Sequence, residues 1–156
     1  MQGEWDKMTN RMQTEAALQE VRSCVPLCEQ FGLMLTETDI RELVQAREQA
    51  LADTGRVEFG GGVMPALIRA FCDSPFVDRE NWVETLASLQ ASFYYYKGEA
   101  GERFTDGELI EFMQKVFSGR AQGSAEYLTG TSLEELCRYA RQGWDAAAGK
   151  DAGDLF

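Results

Sequence analysis

The stretch Trp82-Val-Glu-Thr-Leu-Ala-Ser-Leu-Gln-Ala-Ser-Phe-Tyr-Tyr-Tyr-Lys97 decides the fold class of this 156-residue chain. Its large apolar residues recur every three or four positions, at Trp82, Leu86, Leu89, Phe93 and Tyr96. That spacing places them on one face of an α-helix, because the helix turns once every ~3.6 residues. An apolar stripe of this length is typical of a helix that packs against other helices. We therefore predict a long amphipathic helix here.

The same helical spacing recurs along most of the chain, between residues that start and stop helices. Thr36-Glu-Thr-Asp39 predicts an N-cap, and Gly55 predicts the end of the helix that follows. Thr105-Asp-Gly-Glu108 and Ser132-Leu-Glu-Glu135 both have the pattern of a capping box, in which two side chains bond to each other's backbone amides. These signals predict three further helices.

The remaining segments are predicted to be mostly helical or irregular. Residues from about Thr14 to Gln30 are predicted to form a helix that bends near Pro26. Arg56 to Phe59 has strand character, but one strand cannot form a sheet. The small, polar tail over 144–156 is predicted to fray. We predict one all-α domain over residues 1–156, built from about six amphipathic helices with no substantial sheet.

The charge of the chain excludes several kinds of partner. There are 26 acidic and 15 basic residues, which gives a formal net charge of −11. A nucleic-acid binder needs a basic stripe, and this sequence has none, so neither nucleic acid nor an anionic membrane is expected as a partner. No apolar run approaches the ~20 residues of a membrane span, and the first residues are too polar for a signal peptide. We predict a cytoplasmic protein.

The chain contains no histidine, which excludes several kinds of catalytic site. Ser-His and Cys-His nucleophile pairs, histidine bases and imidazole metal ligands all require that residue. The four cysteines, Cys24, Cys28, Cys72 and Cys137, lack the paired CxxC spacing of a zinc site and are predicted to be reduced thiols. We expect no metal and no cofactor, and we assign no catalytic residue.

The run Gly60-Gly61-Gly62 precedes a helix that is predicted to start near Pro65. It matches neither the phosphate loop GxxxxGK[ST] nor the dinucleotide loop GxGxxG. Two interpretations stay open. The glycines turn the backbone into the helix, or the free amides of the helix start hold a small anion or a partner's carboxylate.

The aromatic run Phe93-Tyr-Tyr-Tyr96 cannot place every ring in one core, because neighbouring residues on a helix diverge by about 100°. Phe93 and Tyr96 fit the apolar stripe, which leaves Tyr94 or Tyr95 nearer the surface. Exposed tyrosines are enriched at protein interfaces. A helix with a wide buried face, whose hydroxyls reach solvent, is the alternative.

These features lead to one leading hypothesis, a non-enzymatic protein-interaction or accessory module that binds another protein or itself. The predicted ligand or partner surface contains Arg56, Glu58, Gly60, Gly61, Gly62, Arg69, Asp73, Tyr94, Tyr95 and Lys97. One alternative is a binder of a small anionic ligand or an unfamiliar enzyme, in which Arg56, Arg69 and the Gly62 amide hold the anion and Asp73 or Glu58 acts as base. A structural homodimer formed through exposed aromatics is the other.

Five sequence blocks together resemble a bacterial family known as a domain of unknown function, number 6323. The blocks are Gly55-Arg-Val-Glu-Phe-Gly60, Phe71-Cys-Asp-Ser-Pro-Phe76, Phe93-Tyr-Tyr-Tyr-Lys-Gly-Glu99, Asp106-Gly-Glu-Leu-Ile-Glu-Phe-Met113 and Gly123-Ser-Ala-Glu-Tyr-Leu-Thr-Gly-Thr131. The resemblance extends from Phe31 to Arg141. It implies a small cytosolic protein and supplies no catalytic residues.

Overall fold

A computed structural model describes residues 14–56, 58, 62–100 and 103–141, and the described chain is helical, with no strand. The first four helices are α1 (14–22), α2 (Val25–Gln30), α3 (Glu37–Thr54) and α4 (Met64–Phe71). They are followed by α5 (Trp82–Glu99), α6 (Asp106–Ser118), the short α7 (Ala125–Tyr127), a π-helical segment (Leu128–Leu133) and α8 (Glu134–Arg141). Six of these helices have at least eight described residues, so the predicted all-α fold is confirmed.

Helix α5 lies at the centre of the domain and packs against α3, α4, α6, α7 and α8. All five residues of its predicted stripe, from Trp82 to Tyr96, are buried in one continuous hydrophobic core. The burial also includes residues off that stripe, such as Tyr94 and Gln90. The predicted long helix is therefore present, and neighbours cover most of its circumference.

The predicted starts of α3 and α6 are confirmed. The Thr36 hydroxyl accepts a hydrogen bond from the Asp39 amide, and the Asp39 carboxylate accepts one from the Thr36 amide. Thr105 and Glu108 form the same reciprocal pair at the start of α6. Both pairs satisfy amides that have no acceptor within the helix. Gly55 ends α3 in the left-handed conformation at φ 69°, as predicted.

The second predicted capping box, at Ser132, is wrong. Ser132 is buried within the π-helical segment, and α8 continues directly from that segment at Glu134. The helix start lies earlier, where the Ser124 hydroxyl accepts a hydrogen bond from the Tyr127 amide. A capping box needs a non-helical residue at its first position, and Ser132 is already inside a helical turn.

The predicted bend near Pro26 is confirmed, whereas the strand character predicted for Arg56 to Phe59 is absent from the two of those residues that the structure describes. Ser23 and Cys24 form a turn between α1 and α2, which places the predicted bend just before Pro26. Arg56 and Glu58 are not in a strand, while Val57, Phe59 and the predicted fraying tail lie outside the described residues. None of the described helices combines the length and apolar character needed to cross a lipid bilayer.

The four cysteines are free thiols buried in the core, as predicted. Burial raises the pKa of Cys24, Cys28 and Cys72, because the thiolate would lose its hydration. Cys28 lies against Trp82, at the start of the central helix. These thiols therefore act as small core residues, and two of them, Cys28 and Cys137, join α2 and α8 to α5.

Two glycine substitutions are expected to change stability in opposite directions. A Cβ atom at Gly55 or at Gly98 would meet nothing within 4 Å, so crowding plays no part at either position. Gly55→Ala should destabilise the fold by about 1–2 kcal/mol, because its left-handed conformation disfavours a side chain. Gly98→Ala, inside α5, should stabilise it by up to ~1 kcal/mol, because alanine favours helix. Urea unfolding of both variants checks this; changes of the same sign would contradict it.

Candidate functional site

The structure separates the predicted surface into several places. Arg56, Glu58, Gly62 and Tyr94 come together on the inner side of the loop between α3 and α4. Tyr95 faces outward from α5. Gly60 and Gly61 lie outside the described residues, so their predicted role stays a prediction.

A buried side chain from α3 completes the group around Gly62. Arg47 is only 3% exposed and donates from Nη2 to the backbone carbonyl of Glu58 at 3.3 Å. The Tyr94 hydroxyl, from α5, donates to Glu58 Oε2 at 2.9 Å, and Arg56 Nη2 lies 3.4 Å from Glu58 Oε1. We call Arg47, Arg56, Glu58 and Tyr94 the Arg47 cluster. It links the loop to the two longest helices.

Gly62 lies directly against this cluster. A Cβ atom at this position would be 2.5 Å from Arg47 Nε and 2.8 Å from the Tyr94 hydroxyl oxygen, and the backbone has φ +63°. Real Cβ atoms do not approach other atoms this closely, and side chains rarely adopt this φ. Only glycine therefore fits here, which supports the interpretation that Gly62 turns the chain into α4 at close quarters.

Burial and the nearby carboxylate keep the Tyr94 hydroxyl protonated. Burial raises the pKa of Tyr94 to about 12, and the Glu58 carboxylate adds to the rise while Arg47 opposes it. At neutral pH Tyr94 is thus a neutral hydrogen-bond donor. Both Glu58 oxygens already have a partner, Tyr94 for one and Arg56 for the other, so this geometry does not favour Glu58 as a catalytic base.

Arg47 was absent from the predicted surface, although the sequence contained a signal for it. It occupies a position on the apolar face of α3, in register with the buried Ile40, Leu43 and Val44. An arginine in such a stripe is unusual, because charged residues are seldom fully buried without a partner. That departure from the apolar pattern was the available clue.

Three other predicted residues do not join the cluster. Lys97 is 5% exposed; its Nζ donates to the Phe104 carbonyl and lies 3.0 Å from Asp106 Oδ1. Arg69 and Asp73 are exposed, at the last turn of α4 and just after it. The predicted surface is thus corrected in two respects. Tyr94 and Lys97 are both buried, because α5 is covered on sides that the apolar stripe did not include.

Tyr95 belongs to a face of α5 that we call the Tyr95 face, formed by the exposed Glu84, Ala91, Tyr95 and Gly98 and the half-buried Ser88. Tyr95 is 52% exposed, and its ring packs edge-on against Tyr96. Beside this face a groove of about 440 Å3 runs between α5 and the segment from α7 into the π-helix. Its lining contains Ser88, Ser92, Ala125, Glu126, Thr129 and Gly130.

The groove continues toward the start of α5. A second depression of about 290 Å3 shares Ser88, Ala125 and Glu126 with the first and adds Glu84. The combined lining consists of small and hydroxyl side chains with two carboxylates. One wall is fixed by a 2.8 Å hydrogen bond between the hydroxyls of Ser92 and Thr129. In the part of the chain that the structure describes, no group of three cysteine or acidic side chains could hold a metal ion.

A family model described as "Family of unknown function (DUF6323)" matches residues 20–146. The chain belongs to this family. The resemblance seen in the sequence is confirmed, and the match begins before Phe31, so it includes α2 and the end of α1. Neither the curated proteins nor the solved structures contain a match. In this DUF6323 protein both the Arg47 cluster and the Tyr95 face lie within the matched residues.

Tyr94→Phe should destabilise the fold, because it removes the hydroxyl that donates to a half-buried carboxylate. We expect a loss of about 1–3 kcal/mol near pH 8, the usual cost of leaving a buried acceptor without its donor. The folded-state pKa of Tyr94 is raised, so its contribution is complete below pH ~10 and falls as the pH rises toward about 12.

The difference between wild type and Tyr94→Phe should therefore shrink by up to ~1.4 kcal/mol per pH unit between pH ~10 and the folded-state pKa of about 12. Urea unfolding at a series of pH values measures it. Tyr95→Phe is the matched control, at the neighbouring tyrosine whose side chain is 52% exposed, and its difference from wild type should stay constant over the same pH range. For Tyr94→Phe, a difference that stays constant between neutral and alkaline pH would show that Tyr94 is not held protonated by the cluster.

Proposed function

We propose that this protein is a non-enzymatic interaction module that binds a partner protein through the Tyr95 face and the groove beside it. The observation that carries the proposal is the half-exposed ring of Tyr95, on a helix whose other aromatic residues are buried. Tyrosine is enriched among the residues that contribute most to protein interfaces. The cost of exposing this ring would be offset when a partner covers it.

The residues around Tyr95 favour a partner that packs closely. Ala91 precedes it by one helical turn and Gly98 follows it by almost one turn, so neither hides the ring. Small side chains also shorten the distance at which a second helix can pack. The groove wall opposite has the same character, with Ala125 and Gly130. This face therefore suits a helical segment of the partner.

The negative charge of the groove and of the whole chain favours a positively charged partner. Glu84 and Glu126 line the groove, and the whole chain has a net charge of −11. A partner helix with lysine or arginine residues would be attracted, whereas a second copy of this acidic chain would be repelled. The proposal therefore favours a basic partner protein over a homodimer. We place this binding in the cytoplasm, because four buried free thiols suit a reducing compartment.

Tyr95→Ala should weaken partner capture without unfolding the domain. Loss of a central interface tyrosine costs about 2 kcal/mol or more, which corresponds to binding weaker by ~30-fold or more. The measurement is capture from a lysate of the organism that encodes the chain, with the immobilised wild type and variant compared by quantitative mass spectrometry. Far-UV circular dichroism of Tyr95→Ala establishes that the fold is retained.

Met34→Ala is the matched control. Met34 is also an exposed apolar residue, but it contacts Arg79 just before α5, about 20 Å along the helix axis from Tyr95. It should leave capture unchanged, and Glu126→Lys should reduce it. Equal capture by wild type and Tyr95→Ala would contradict the proposal. Wild type that sediments as a dimer, with Tyr95→Ala as a monomer, would instead identify the face as a homodimer contact.

A further inference from the structure

The groove beside the Tyr95 face ends in a depression with a carboxylate on each wall. Glu84 comes from the first turn of α5 and Glu126 from the first turn of α7, and both line the 290 Å3 depression at the start of α5. The hydroxyl side chains of Thr85, Ser88 and Ser124 line it as well. The polar side-chain atoms around the depression are therefore all oxygens, which can accept hydrogen bonds.

The two carboxylates have no cation of this chain beside them. Among the residues that the structure describes, Glu84 and Glu126 have neither a hydrogen-bond partner nor an ion-pair partner for their side chains. The helix dipoles favour a negative charge at both positions, but a dipole does not neutralise it. Like charges on facing walls repel each other, and a cation between them would remove that repulsion. The depression therefore favours a positively charged group.

The arrangement of the acceptors suits an ammonium group better than other cations. An ammonium has three donors that point in different directions, so it can reach acceptors on two walls at once. A guanidinium is planar, and its donors pair best with a single carboxylate. A bare metal ion needs more charged ligands, and the described residues contain no group of three cysteine or acidic side chains that could supply them. The volume of 290 Å3 also suits a complete side chain.

A partner that lies in the groove can place such a side chain in the depression. The depression shares Ser88, Ala125 and Glu126 with the 440 Å3 part of the groove, so the two are continuous. Glu84 and Tyr95 lie on one face of α5, about three turns or ~16 Å apart along its axis. A partner helix packed alongside α5 would therefore carry its cation about three turns from the residue that covers Tyr95.

We propose that a lysine of the partner protein inserts its ammonium group between Glu84 and Glu126. This inference rests on the proposed function, because it names the residue type with which the partner enters the groove. The hydroxyls of Thr85 and Ser88 supply further acceptors beside the two carboxylates. The lysine fixes the position of the partner along the groove, and Tyr95 contributes the apolar contact.

Titration of the 15N-labelled full chain with n-butylammonium chloride, which reproduces the end of a lysine side chain, tests the depression without the partner. Amide shifts should saturate with a Kd of roughly 10–100 mM and should be largest at Glu84, Ser88, Ala125 and Glu126. Sodium chloride at matched ionic strength measures the general salt effect. Shifts equal to those in sodium chloride, shifts centred elsewhere, or tighter binding of n-butylguanidinium would overturn the proposal.

Glu84→Gln and Glu126→Gln retain the size of each side chain and remove its charge. Each should weaken butylammonium binding by about 2- to 5-fold, the effect of losing one exposed ion pair. Glu42→Gln is the matched control, an exposed carboxylate on α3 that lines neither part of the groove, and should leave the affinity unchanged. Equal affinity in wild type and both groove variants would contradict the site. If one of these variants fails to fold, the other decides.

A water-soluble carbodiimide, which joins a carboxylate to a lysine amine in direct contact, tests the partner's side of the inference. Capture from the lysate in its presence should give cross-linked peptides that join Glu84 or Glu126 to a lysine of the captured protein. Capture without these cross-links would overturn the lysine assignment and leave the Tyr95 face in place. If the wild type captures no protein, the proposed function fails, and the butylammonium titration alone decides the site.

Discussion

The burial of α5 on nearly all sides is the constraint on which the rest of the structure depends. Neighbouring residues on a helix point about 100° apart, so Phe93, Tyr94 and Tyr96 cannot share one packing surface. All three are nevertheless buried. Separate helices must therefore cover separate sides of α5, and α3, α4, α6 and α8 do so. The arrangement of the domain follows from the need to surround this one aromatic segment.

Burying α5 also buries polar groups, and these determine where the loops lie. Gln90 donates to the Leu43 carbonyl at 3.1 Å, which ties α5 to α3. Tyr94 donates to Glu58, and Lys97 pairs with Asp106 at the start of α6. An unsatisfied polar group in the interior costs more than a satisfied one contributes. These bonds therefore specify which loop covers which end of the helix, while the apolar contacts provide most of the stability.

The helices were predictable from the sequence because their signals are local. The Thr36 and Thr105 caps, the Gly55 stop and the stripe from Trp82 to Tyr96 each involve residues within a few turns of one another. The Ser132 motif was equally local, but its prediction was wrong. The helical stretch already begins after Ser124, and Ser132 lies inside the π-helical segment. A capping motif predicts a start only where the preceding chain is not helical.

The candidate site was less predictable, because it depends on contacts between distant segments. Arg47, Glu58 and Tyr94 lie on two helices and the loop that precedes a third, and no spacing rule joins them. In the sequence, Gly62 stands out because it ends a run of three glycines. Its structural role comes instead from the Arg47 and Tyr94 side chains, against which it lies. Likewise, Tyr94 is buried and Tyr95 is exposed because neighbouring segments cover one side of α5 and leave the other side open.

The π-helical segment Leu128–Leu133 has a consequence for how the family can change over evolution. A π-helical turn holds more residues than an α-helical one and has the form of an insertion within a helix. Here it sets the rotation of α8, whose Leu136, Cys137 and Ala140 face the core. Removing one residue between Leu128 and Leu133 would turn α8 by about 100° and expose that apolar row. The number of residues in this segment is therefore constrained, even at positions where the residue type can change.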